Sequence, residues 1–98
     1  MDIIKTKDDA KLNVALTGRL DTTTAPALEA ELNASFDGLE VLTLDFAKLE
    51  YISSAGLRVL LAAQKIMSKQ GSMTVCNVNS DIMEVFEITG FSDILTIE

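Results

Sequence analysis

Ser53 and Ser54 are the residues of this chain whose type and spacing invite chemistry. They stand together in Tyr51-Ile52-Ser53-Ser54-Ala55-Gly56-Leu57-Arg58, just before the apolar stretch Val59-Leu60-Leu61. A hydroxyl at a helix start accepts a hydrogen bond from one of the unpaired N–H groups there, and losing it costs about 1 kcal/mol. The same hydroxyl can take a phosphoryl group, which adds about −1.5 to −2 charges. From the residues alone, capping accounts for both serines. Gly56 is the odd member, because glycine in a helix costs about 1 kcal/mol against alanine. A close approach by another backbone or a partner would explain it, and so would close helix–strand packing.

Other chemistries lack their residues. The chain has no histidine, which excludes Ser-His-Asp and Cys-His catalysis and metal sites that need imidazole. Its single cysteine, Cys76, permits no intrachain disulfide; within Met73-Thr74-Val75-Cys76 it reads as a small buried hydrophobe in a reducing compartment. Neither Gly-x-Gly-x-x-Gly nor Gly-x-x-x-x-Gly-Lys-Ser/Thr occurs. A net charge of −7 argues against nucleic acid or an anionic membrane as main partner. No apolar run is long enough to span a bilayer, and Met1-Asp2-Ile3-Ile4-Lys5 lacks a signal-peptide pattern. The expectation is a soluble cytoplasmic protein of one domain, residues 1–98, with no direct membrane insertion.

The elements that must position the serines follow from periodicity. Ile3-Ile4 and the alternating Leu12, Val14, Leu16 predict two strands, turning over Lys7-Asp8-Asp9-Ala10. Thr22-Thr23-Thr24-Ala25-Pro26 predicts a helix start, and Ala25, Leu28 and Leu32 form its stripe to about Ala34. Val41–Phe46 reads as a strand with Leu42, Leu44 and Phe46 on one face, followed by a connection over Ala47–Ile52. The longest helix runs from about Ser54 to Lys69, with Leu57, Leu60, Leu61, Ala63, Ile66 and Met67 apolar and Arg58, Lys65 and Lys69 in one polar stripe. Gly71 ends it. Ser72 to Asn77 is a further strand, Asn79 or Ser80 caps a third helix that Gly90 closes, and Ile94 to Ile97 is a last short strand. The result is an α/β domain: a mixed, mostly parallel sheet of four to five strands with three main helices.

In such a sheet, loops after the strands' carboxyl ends gather at one edge, where binding sites form. The segment Ala47–Ser54 is one such loop and Arg19–Thr24 another, so Asp21 is expected near Ser53 and Ser54. Asp21 also reads as a cap or turn residue before the first helix. Arg58 lies one turn beyond Ser54 on the same helical face, where it could pair with a phosphate or a partner; an exposed, solvated charge is the simpler reading. Asp45, ending a buried strand, is expected to bond the backbone of the following loop.

The stretch from Leu44-Asp45-Phe46 through Tyr51-Ile52-Ser53-Ser54-Ala55-Gly56-Leu57 resembles the signature of the STAS domain family, which includes bacterial anti-sigma factor antagonists and the cytoplasmic domains of sulfate transporters. Leu16-Thr17-Gly18-Arg19-Leu20-Asp21 is similar to that family's Gly-x-Leu-Asp block. The resemblance implies that an anti-sigma factor with serine kinase activity phosphorylates the serine two positions before the glycine, here Ser54. Ser53 holds a position often occupied by aspartate in the family and becomes an alternative acceptor, while Ala55 replaces a small hydroxyl residue. Asp21 matches an acidic residue near the acceptor. Asp21, Ser53, Ser54, Gly56 and Arg58 are the expected partner-binding residues.

The function implied is that of an anti-sigma factor antagonist. Unphosphorylated chain would bind the anti-sigma kinase and free a sigma factor, and a serine phosphatase is a further candidate partner. The chain would be a kinase substrate, not an enzyme, and the nucleotide would sit in the partner, so no cofactor is expected. The alternative is a STAS subunit of an ABC-type membrane transport complex docking on its ATPase. A ligand or nucleotide sensor is a third reading, disfavoured by the missing phosphate loops.

Overall fold

Leu12, Val14, Leu16 and Leu20 alternate with Asn13, Ala15, Thr17 and Arg19, and that alternation decides how the sheet is covered. The computed structural model describes all residues, Met1–Glu98. Strands β1 (Asp2–Asp8) and β2 (Lys11–Leu20) form an antiparallel hairpin whose turn is only Asp9-Ala10, with Asp9 at φ 56°. Then follow α1 (Ala25–Asn33), β3 (Val41–Ile52), α2 (Ser54–Gln70), β4 (Ser72–Cys76), α3 (Ser80–Thr89), a 3₁₀ turn over Phe91–Asp93 and β5 (Thr96–Ile97). The five strands lie in the order β1-β2-β3-β4-β5, with β2 to β5 parallel. The mixed sheet with three helices expected from the periodicity is therefore present.

Each parallel step advances in the same direction across the sheet. Right-handed crossovers then place α1, α2 and α3 on one face. The inward residues agree: Leu12, Val14 and Leu16, Leu42, Leu44 and Phe46, and Met73 and Val75 are all buried. The helices add Leu28 and Leu32, Leu57, Leu60, Ala63 and Met67, and Ile82 and Phe86 to the same core. The Phe46 and Phe86 rings lie 6.5 Å apart. The opposite face carries no helix. It shows Ile4, Asn13, Ala15, Thr17, Thr43, Asp45, Thr74 and Cys76, none of them buried. Parallel sheets are ordinarily covered on both sides, and the polar alternation here is what lets one side meet water. Cys76 accordingly is half-exposed on this open face rather than part of the core.

β3 departs most from the sequence expectation. It does not stop at Phe46: the connection expected over Ala47–Ile52 is strand, and Ser53 alone separates it from α2. Its pairing with β2 slips twice. Ala15↔Asp45 is followed by Thr17↔Lys48, and Gly18↔Leu49 by Arg19↔Tyr51, each time with one extra residue on β3. Two bulges change the spacing of inward residues from two to three, giving Leu42, Leu44, Phe46, then Leu49, then Ile52. Side chains hold the irregular stretch. Asp45 Oδ1 accepts from the Ala47 amide (3.0 Å) and from Asn77 Nδ2 (2.9 Å) at the first bulge. Asn79 Nδ2 donates to the Leu49 carbonyl (3.0 Å) at the second. The other differences are small. β4 ends at Cys76 because Asn77 turns left-handed (φ 57°), and the final strand is only Thr96–Ile97, after the 3₁₀ turn.

Candidate functional site

The two serines have different environments. Ser53 is the N-cap of α2, extended at φ −101° and ψ 176°, and its hydroxyl accepts from the Gly56 amide at 3.5 Å. Its own amide donates to the Leu20 carbonyl (2.9 Å), tying the start of α2 to the end of β2. Ser54 is the first helical residue, exposed, and its hydroxyl makes no hydrogen bond. Of the four N–H groups that open α2, the Ser53 side chain serves only that of Gly56. The helix start therefore carries free donors and positive dipole next to an exposed alcohol.

Gly56 is expected from the sequence among the partner-contacting residues, and here the structure corrects the expectation. Gly56 is buried. A Cβ built on it would lie 2.8 Å from Ile52 Cγ1 and 2.8 Å from Leu20 Cγ. The missing side chain lets α2 sit down on the ends of β2 and β3; Gly56 sets the height of the Ser53–Ser54 turn and does not face a partner.

Asp21 does lie at the same edge, and its carboxylate is engaged. Oδ1 accepts from the Thr23 amide (3.0 Å), the Thr23 hydroxyl (2.7 Å) and the Thr24 amide (3.2 Å). In return the Asp21 amide donates to Thr24 Oγ1 (2.8 Å), whose hydroxyl donates to the Arg19 carbonyl (2.8 Å). This reciprocal pair, three residues apart, has the logic of a capping box, set one turn ahead of α1. These bonds, the Thr23 hydroxyl first, together outweigh the opposing effect of desolvation and hold the Asp21 carboxyl below its ordinary range. Its other oxygen, Oδ2, stands 3.8 Å from Arg19 Nε.

Arg58 is exposed on α2. With Thr22, Ala25, Pro26, Glu29, Ala55 and Val59 it lines a cleft of about 180 Å³ between the starts of α1 and α2. Thr22 after β2 and Ala55 in the first turn of α2 thus line one cleft, and the Ser53–Leu20 bond sets the two turns side by side. Sequence reasoning missed two residues at this edge. The Arg19 guanidinium carbon sits 4.2 Å above the centre of the Tyr51 ring. Both residues stand inside stretches that the sequence singles out, but only the second bulge, skipping Glu50, brings Tyr51 rather than Glu50 opposite Arg19.

Residues 2–98 match the model of the STAS domain family, and the chain belongs to that family. It is 41% identical to a putative anti-sigma factor antagonist, BtrV, of Bordetella bronchiseptica, over 99% of this chain and 85% of that protein. It is 30% identical to the anti-sigma-B factor antagonist of Bacillus subtilis, over 99% of this chain and 88% of that protein. Among solved structures, an anti-sigma factor antagonist from Mycobacterium paratuberculosis superposes with a TM-score of 0.89 at 25% identity, covering 98% of this chain and 83% of that one. No helix is long and apolar enough to cross a membrane.

Proposed function

We propose that this chain is an anti-sigma factor antagonist of the bacterial cytoplasm, acting as a binding protein and not as an enzyme, and that it is switched off by phosphorylation of Ser54. The relatives carry that name, and the observation that supports the switch is the division of labour between the serines. Ser53 spends its hydroxyl on the helix cap, whereas Ser54 offers an exposed, unbonded one. An anti-sigma factor with serine kinase activity is both the binding partner and the modifying enzyme in this reading, and a serine phosphatase resets the switch.

The mechanism is electrostatic. Unmodified, the turn presents small neutral side chains. A phosphate on Ser54 brings about −1.5 to −2 charges. The free N–H donors of α2 and Arg58, one turn on, favour that charge on the isolated domain, so the fold need not change. In a complex the phosphate loses water and meets the Asp21 carboxylate, already held ionised by its threonines. A penalty of about 3 kcal/mol would weaken binding more than a hundredfold, since 1.4 kcal/mol is tenfold.

The test is mass spectrometry of the chain purified from its own cells with bound partners retained. The expected result is one phosphate, mapped to Ser54, and an anti-sigma kinase bound only to the unphosphorylated fraction. If Ser54→Asp and Ser54→Ala proteins bind the anti-sigma factor equally well, the switch is wrong.

A further inference from the structure

The chain contains only two arginines: Arg19, paired with Tyr51 near the end of β3, and Arg58, one turn into α2. Arg19 has the more unusual setting. Its side chain is 59% exposed and stacks on Tyr51, itself 41% exposed. The guanidinium makes no hydrogen bond at all; Asp21 Oδ2 approaches its Nε only to 3.8 Å. The stack is built by backbone irregularity. Gly18, at φ 98°, precedes Arg19, and the bulge at Glu50 replaces an Arg19–Glu50 pairing by Arg19–Tyr51. Bulges re-aim side chains, and this one gives up an available cation–carboxylate pair across the strands in favour of a ring that leaves the donors free.

We infer that the Arg19–Tyr51 stack is a recognition element that takes a carboxylate of the bound anti-sigma factor. The inference rests on the antagonist reading above and names chemistry that reading leaves open. Arginine and tyrosine dominate binding hot spots, and a guanidinium already held over a ring loses little freedom when it forms a two-pronged bond to a carboxylate. Charge agrees. On a chain of net −7, Arg19 is an exposed cation whose donors are unbonded, the complement of a carboxylate. A phosphate on Ser54 adds about −1.5 to −2 charges at the start of α2, just beyond the end of β3 that carries Tyr51. The carboxylate that Arg19 attracts is then the group that the phosphate repels, so attraction and switching act on one feature of the partner.

The test identifies the anti-sigma factor retained by wild-type chain, produces it pure, and measures Kd by calorimetry against unphosphorylated Arg19→Glu, Arg19→Lys, Tyr51→Ala and Tyr51→Phe. Arg19→Glu is expected to weaken binding about thirtyfold or more and to flatten the dependence of Kd on salt. Arg19→Lys and Tyr51→Ala should each lose about tenfold, and Tyr51→Phe, which keeps the ring, should stay within about threefold. Thermal unfolding of each variant separates a binding loss from a folding loss, and the lysine variant serves if the glutamate one does not fold. Binding of Arg19→Glu or Arg19→Lys within about threefold of wild type overturns the inference and leaves the antagonist reading standing. So does an effect confined to phosphorylated chain, which would make Arg19 a ligand of the phosphate itself. Wild-type chain that binds no anti-sigma factor overturns both.

Discussion

Replacing the two adjacent serines one at a time should separate stability from switching. Ser53 caps α2 through a single bond to the Gly56 amide, and at 3.5 Å that bond is long. Loss of a serine cap costs about 0.5–2 kcal/mol, so the length places Ser53→Ala near the low end, about 0.5–1 kcal/mol. For a chain of 98 residues, 1 kcal/mol moves Tm by about 4–8 °C, which gives an expected drop of about 2–8 °C. Ser54 is exposed, makes no side-chain bond and occupies a position where alanine is a better helix former. Ser54→Ala should therefore leave Tm unchanged or raise it slightly. The assays are calorimetric or circular-dichroism melts, with intact-mass measurement after incubation with the cognate kinase and ATP. Ser53→Ala is expected to take up one phosphate, and Ser54→Ala none. A Ser54→Ala protein that is still phosphorylated, or that melts as far below wild type as Ser53→Ala, would refute the assignment of cap and acceptor.

Three further outcomes follow from the packing and charges. Gly56→Ala gains about 1 kcal/mol of helix propensity but forces a methyl against Leu20 and Ile52, where overpacking costs about 1–3 kcal/mol, so urea unfolding should show a net loss of up to about 2 kcal/mol. Phe46→Ala, which empties a fully buried site beside Phe86, should cost about 3–5 kcal/mol in the same measurement. The Asp45 carboxyl titrates below its ordinary value because Asn77 and the Ala47 amide bond its ionised form. A depressed folded pKa gives stability that is full above the unfolded pKa and is lost as pH falls through the folded one. The urea midpoint should therefore fall as pH drops below about 4, and less steeply in Asp45→Asn, whose amide oxygen can still accept the Ala47 bond.

What the sequence revealed and what it hid have one physical cause. Residues facing the core announce themselves by period, and where the period is regular, as in Leu12-Val14-Leu16 or along the Leu57–Met67 face of α2, element and buried face are both legible. The edge that carries the site is where the period breaks. Inward residues of β3 step from two to three after Phe46. The run Ala47-Lys48-Leu49-Glu50-Tyr51 reads as loop because Lys48 and Glu50 fall where a period of two from Phe46 requires apolar residues. Only pairing with β2 shows that Leu49 and Ile52 still point inward, and that Asp45 and Asn79 bond backbone groups at the two bulges. Gly56 shows the same limit. A glycine in a helix's first turn signals a close approach without saying to what, and the answer lies in Leu20 and Ile52, at the ends of two different strands. The serines are legible as a pair but not as distinct residues. Cap and acceptor differ by one position, and the extended backbone of Ser53, at ψ 176°, decides between them. Irregularity in β3 thus does three things at one place: it brings the strand to within one residue of α2, seats Gly56 over Leu20 and Ile52, and turns Tyr51 under Arg19. An uninterrupted period of two would have been easier to read, but it would have turned Lys48 and Glu50 toward the core in place of Leu49, at the strand end from which Ser54 is presented.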